Sequence, residues 1–146
     1  MKIIAYSDEY AQKIIKHIRD IAINEFKYND WEEYFNKMSF DEYKLGSNKF
    51  LMALNDFDEV IGTIGALKRT DEEVYLNSLY VNKEYRNQGL AKKLYDEVLT
   101  FIREDDYKLV TLRTFFRFEL AIRFYEKLGF ERYDEDEESY FYKKYL

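Results

Sequence analysis

The sequence predicts one mixed α/β domain, a sheet with helices on its faces. Three observations carry this. Apolar residues fall into strand-like runs and helical stripes in the order β, two or three short helices, β, β, β, α, β, α, β, β. The early strands follow one another closely enough to form hairpins, whereas the later ones are separated by helical stripes that make crossover units; together these give a mixed sheet. The chain has 146 residues, enough to bury a core without disulfides or metals. With no linker, repeat or low-complexity tract, residues 1–146 read as a single domain.

Each element has its local reason. Lys2 to Tyr6 is a short apolar run, read as a strand. From Asp8 onward Ala11, Ile14, Ile15, Ile18, Ile21 and Ala22 recur at helical spacing. Asp30-Trp31-Glu32-Glu33 and Ser39-Phe40-Asp41-Glu42 both match the capping-box pattern and predict two short helices. Lys49 to Leu54 and Val60 to Leu67 read as strands around the turn Asn55-Asp56-Phe57-Asp58, and Val74 to Val81 as another, rich in β-favouring residues. Leu90, Leu94, Tyr95, Val98, Leu99 and Ile102 make a helical stripe after Gly89. Leu109 to Arg113 is a strand. Phe118, Ala121, Ile122, Tyr125 and Leu128 make a second stripe, which Gly129 stops. Phe130 to Tyr133 and Ser139 to Tyr145 form a final strand pair around an acidic loop, and His17, off its helix's apolar stripe, reads as a surface residue.

Composition excludes several classes. The 15 Tyr, 12 Phe and single Trp are too many to leave outside the core. A net charge of −6 argues against nucleic acid as a partner. The absence of cysteine removes disulfides, thiolate metal sites and a Cys nucleophile, and no metal site is expected. The start MKIIAYSDEY turns polar too soon for a signal peptide, and no apolar run is long enough for a bilayer, so a cytoplasmic protein without a membrane partner is expected.

One stretch points to chemistry. Arg86-Asn87-Gln88-Gly89-Leu90-Ala91 follows a strand and a turn and opens a helix. A helix start carries unpaired N–H groups and partial positive charge, which suit a phosphate. Gly89 lacks a Cβ, so a ligand can approach its backbone. Lys92 and Lys93 stand against the preference of the helix dipole. On these residues alone, a glycine turning a corner before a helix with a solvated lysine face is an equal reading.

Arg-x-x-Gly-x-Ala between strand and helix, the downstream Phe124-Tyr125-Glu126-Lys127-Leu128-Gly129-Phe130 and the lead-in Leu79 to Arg86 resemble the GNAT superfamily of N-acetyltransferases across nearly the whole chain. The resemblance implies a mostly antiparallel central sheet of about seven strands, flanked by helices and splayed into a V between the fourth and fifth, Val74 to Val81 and Leu109 to Arg113. It implies acetyl-CoA as cosubstrate. The N–H groups of Arg86, Asn87, Gln88, Gly89, Leu90, Ala91 and Lys92 would hold the pyrophosphate. Val81 would offer its backbone to the pantetheine arm. The Leu79 N–H would face the thioester carbonyl, and Tyr125 would protonate the departing thiolate.

The match has two departures. Where many relatives carry a glutamate as base, this chain has Tyr75, leaving Glu73, two residues earlier on the same face, as the carboxylate candidate and Asn77 as a holder of water. Phe118 stands where relatives often carry an asparagine that contacts the cofactor. The function implied is acetyl transfer by direct attack of a primary amine, on a small molecule or a peptide; the alternative is a non-catalytic acyl-CoA-binding module. The resemblance admits a homodimer. Tyr28, Trp31, Tyr34 and Phe35 occupy the region that shapes the acceptor pocket in relatives, though core packing also explains them. The run Asp134 to Glu138 reads first as a solvated hairpin loop and second as a lure for polyamines or lysine-rich substrates.

Overall fold

The computed structural model describes every residue from Met1 to Leu146. Seven strands form one sheet: β1 (Lys2–Ala5), β2 (Lys49–Leu54), β3 (Val60–Lys68), β4 (Glu73–Val81), β5 (Leu109–Phe115), β6 (Glu131–Glu135) and β7 (Ser139–Tyr145). Their spatial order is β1-β2-β3-β4-β5-β7-β6, and only β4 and β5 run parallel. The mostly antiparallel mixed sheet expected from the sequence is therefore present. Four helices flank it: α1 (Ala11–Arg19), α2 (Glu32–Asn36), α3 (Leu90–Glu104) and α4 (Glu119–Lys127).

The core lies in two layers, one on each face of the sheet. Strand β2 shows why its sequence is apolar throughout. Leu51 and Ala53 join the layer under α3 and α4, while Phe50, Met52 and Leu54 join the layer under α1. A strand buried on both faces has no polar side to display.

Three local expectations are corrected. Neither capping box forms: no side chain caps the turn Asn29–Trp31, α2 or the turn Asp41–Lys44. Ser39 Oγ instead accepts from the Asp41 N–H at 3.2 Å, a bond two residues along that favours a tight turn over a helix start. The second of these elements is accordingly a single 3₁₀ turn. His17 is buried rather than on the surface, with Nε2 3.2 Å from the Tyr80 carbonyl oxygen. The α1 helix is covered over a wider arc than its isoleucine stripe, which leaves His17 against β4. Asp20–Glu25 continues the helix as a π-helix.

Strand β4 carries a bulge that nothing in its sequence marks. Gly65 pairs with Asn77 and Thr63 with Tyr80, so Ser78 is one residue extra, with φ +55°. Thr63 Oγ1 donates to the Ser78 carbonyl at 2.7 Å. The bulge resets the alternation. Val74 and Leu76, then Leu79 and Val81, pack toward α3 and α4. Tyr80 packs on the opposite layer, on the same face as Asn77.

Candidate active site

Strands β4 and β5 are paired only from Glu73↔Leu109 to Leu76↔Leu112. Beyond that β5 continues against β7 while β4 stays with β3, so Asn77 to Val81 have no β5 partner. This is the V-shaped splay, and a cleft of about 1480 Å³ passes through it. Its walls come from the free end of β4, the start of α3, residues Arg113 to Phe115 of β5, the inner face of α4, and the chain between α1 and β2.

At one end the wall is backbone. Asn87 (φ +61°) and Gly89 (φ +78°) are both left-handed, which turns successive N–H groups to one side. The N–H groups of Asn87, Gln88, Gly89, Leu90, Ala91 and Lys92 donate to no acceptor within the protein. A Cβ placed on Gly89 would meet nothing within 4 Å, so the space over the loop is open. Six consecutive free donors at a helix N-terminus form a strong cradle for a diphosphate.

The side chains here act differently from the sequence expectation. Arg86 is held in a bidentate pair with Glu25 of the π-helical segment, with Nη2–Oε2 at 2.8 Å and a second bond from Nη1 to Oε1. Its Nε donates to the Val81 carbonyl at 3.0 Å. Arg86 therefore braces the loop against β4 and the helix rather than offering a free cation. Lys92 pairs with Asp96 at 2.7 Å, one turn on, which itself favours a lysine at that position. Gln88 turns its side chain back to the Glu84 carbonyl.

At the other end the wall is aromatic. Phe118 meets Phe26 at 4.7 Å between ring centroids, Tyr28 at 5.5 Å and Tyr80 at 5.8 Å. Tyr28 stacks on Trp31 at 4.4 Å, and Trp31 meets Phe115 at 4.9 Å. Phe118 thus ties the α1–β2 connection to the β5–α4 turn by ring packing. Tyr43 donates its phenolic proton to Asn77 Oδ1 at 2.5 Å, above Gly65, where any Cβ would collide with both groups. Asn77 Nδ2 is buried and has no hydrogen-bond partner.

Leu79, Val81 and Tyr125 all line the cleft. Tyr125 is buried, its hydroxyl makes no hydrogen bond within the protein, and burial pushes its phenol up, so it holds its proton at neutral pH. Burial raises Tyr43 and Tyr80 in the same way. Glu73 does not line the cleft. It accepts from Thr111 Oγ1 at 2.8 Å and ties β4 to β5 below the splay. Sequence reasoning missed the Glu25–Arg86 brace and the Tyr43–Asn77 bond, whose partners are far apart in the chain.

The splayed mixed sheet and the cleft through it are shared with a known family. A model of the acetyltransferase (GNAT) family matches residues 15–130, and the chain belongs to that family. It is 29% identical over 135 residues to N-alpha-acetyltransferase 30 of Schizosaccharomyces pombe, covering 90% of this chain and 84% of that protein. It is 32% identical to "Probable N-acetyltransferase camello" of Xenopus laevis, over 63% of this chain but only 43% of the frog protein's length. The match to mouse "Probable N-acetyltransferase family 8 member 5" likewise spans only 34% of that protein. Among solved structures, a GNAT-family acetyltransferase of Staphylococcus aureus Mu50 superposes with a TM-score of 0.87 at 27% identity, covering 99% of this chain and 98% of that one. The PaiA N-acetyltransferase of Thermoplasma acidophilum, solved with coenzyme A, shares the fold with a TM-score of 0.81 at 22% identity over the full length of both chains.

Proposed function

We propose that this protein transfers an acetyl group from acetyl-CoA to a primary amine. The observation that carries the proposal is the run of free N–H groups from Asn87 to Lys92, set beside the unpaired edge of β4. The cradle takes the pyrophosphate. The pantetheine arm adds to the β4 edge as an extra strand would, with Val81 supplying backbone contacts. The Leu79 N–H serves the thioester oxygen as charge develops on it. Tyr125, protonated and with its hydroxyl free, gives its proton to the departing thiolate. With no cysteine to acylate, the amine attacks directly.

The amine must lose a proton before it attacks. Glu73 was the carboxylate the sequence offered, but its bond to Thr111 and its place outside the cleft support a role in strand pairing. The proposal gives the proton to water held near Tyr43 and Asn77. The site's lack of an inner carboxylate also favours the second reading, a module that binds acyl-CoA without turnover. No helix is long and apolar enough to cross a membrane; action in the cytoplasm is a separate expectation, which fractionation of cells would test. A homodimer is a further expectation, which light scattering after gel filtration would test.

Calorimetric titration with acetyl-CoA and with CoA, followed by an amine panel, tests the proposal. Binding with turnover supports it, binding without turnover selects the second reading, and no binding by folded protein ends both.

A further inference from the structure

The charges of the cleft are sorted in a way that speaks to the acceptor. Of the charged side chains that line it, Glu33 pairs with Lys37 at 2.8 Å, Arg113 with Asp136 at 3.0 Å and with Glu138, and Arg86 and Lys92 are paired as described. Four lining charges have no ion pair: Arg123, Lys127, Asp30 and Glu42. The two cations sit on α4, on one face of the sheet. The two anions sit on the α1–β2 connection, whose Phe35 and Phe40 pack on the opposite face. The cleft passes through the splay from one to the other, so a cationic wall meets the polyanionic cosubstrate and an anionic rim is left for whatever enters from the far side.

Between that rim and the splay lie ring faces, not carboxylates. Tyr43 is bonded to Asn77 at the bulge, and the next residue back along the chain is Glu42, so its carboxylate starts one residue from a side chain fixed at the splay. Tyr34 and Tyr80 line the passage, together with Tyr75, whose ring already carries the Arg69 guanidinium 4.0 Å from its centroid. Aromatic faces attract ammonium groups without binding them as ion pairs. The Asp134 to Glu138 run is a poorer lure than its charge suggests. Asp136 Oδ1 already accepts from the N–H groups of Glu138 and Ser139 and from Ser139 Oγ, and Oδ2 from Arg113.

Resting on the acetyltransferase reading, we infer that the acceptor is a primary alkylamine carrying a second cationic group, which Glu42 and the Asp30 side of the rim hold while the reacting amine passes the tyrosines to the splay. The covalent step balances simply. The ammonium first gives one proton to water; the amine nitrogen then bonds to the acetyl carbon, the carbon–sulfur bond breaks, the thiolate takes the Tyr125 proton, and the second proton from nitrogen returns through water to the phenolate.

Three amines of equal carbon chain length test this at saturating acetyl-CoA: cadaverine, pentylamine and 5-aminopentanoate. They differ only in carrying a positive, neutral or negative far end. The expected kcat/KM falls in that order, with cadaverine at least about tenfold above pentylamine, equivalent to roughly 1.4 kcal/mol. Added salt narrows the gap. In Glu42→Gln the cadaverine-to-pentylamine ratio falls toward about two, the statistical factor for two equivalent amines. Equal rates for the three amines, a preference for 5-aminopentanoate, or a ratio unmoved by Glu42→Gln would each overturn the inference while leaving acetyl transfer in place. Tight acetyl-CoA binding with none of the three acetylated also overturns it. Absence of acetyl-CoA binding brings down the underlying reading, and this one with it, which calorimetry distinguishes from the other outcomes.

Discussion

The two ends of the cleft are built from different materials. The cradle end is main chain: two left-handed residues, a helix start and six N–H groups, with side chains acting on it only as a brace or by their absence. The aromatic end is side chain: rings of Phe26, Tyr28, Trp31, Tyr80, Phe115 and Phe118 in contact, and a phenol bonded to an amide. A backbone site recognises what every reaction cycle shares. A side-chain site can be rewritten one residue at a time, which is how a chain with a common cosubstrate end acquires its own acceptor.

The sharpest way to break this contrast is Gly89→Trp. The indole would occupy the open space over the loop, and acetyl-CoA affinity should fall by roughly a thousandfold, about 4 kcal/mol. The left-handed φ adds about 1–2 kcal/mol of strain, so melting is monitored alongside to show that the variant is folded. Unchanged affinity would mean the phosphates lie elsewhere. Tyr125→Phe comes next, where the two ends meet. It should lower kcat by about a hundredfold and leave the acetyl-CoA Kd alone, since the hydroxyl supports no bond in the protein. Full activity would remove it as the acid.

Phe118→Asn sharpens the boundary between the ends. Losing the ring contacts should cost about 2 kcal/mol in urea unfolding, with acetyl-CoA affinity held within about threefold. A large gain in affinity would assign this position to the cofactor end after all. His17 gives the smallest effect. Burial pushes its imidazole down to about 4, so the unfolded chain takes up a proton that the folded one refuses. Stability from this group is present above its ordinary pKa and is lost as pH falls from about 6.5 toward 4. Between about pH 7.5 and pH 5.5 it amounts to about 1.4 kcal/mol. A His17→Gln variant whose melting temperature shows the same pH slope as the parent would refute the assignment.

The sequence showed most clearly what is repeated or local. Continuous apolar runs placed β2 and β3 within a residue or two, because burial on both faces leaves a strand nothing to alternate with. Gly89 stands out in the sequence because a residue without a Cβ before a helix stripe lets a ligand approach the backbone; its left-handed φ is a finding of the structure. Long-range bonds left no trace. Glu25 and Arg86 are 61 residues apart and neither sits in a pattern that names the other. Asp30 and Ser39 match the capping-box pattern because it is a local rule, but neither side chain caps a helix, and Ser39 Oγ takes the Asp41 N–H instead. His17 was misplaced because a stripe of isoleucines defines the centre of a buried arc and says little about its edges.

Ser78 makes β4 a strand with two reading frames. Upstream of it even-numbered residues face α3 and α4; downstream, odd-numbered ones do. Removing that one residue would exchange the faces of Leu79, Tyr80 and Val81, putting a phenol into the α3–α4 layer and two aliphatic side chains under α1. Substitutions can therefore tune this strand, but insertions and deletions within it cannot be absorbed. The length of β4 is fixed by phase, and variation in length is left to the loops that shape the acceptor end.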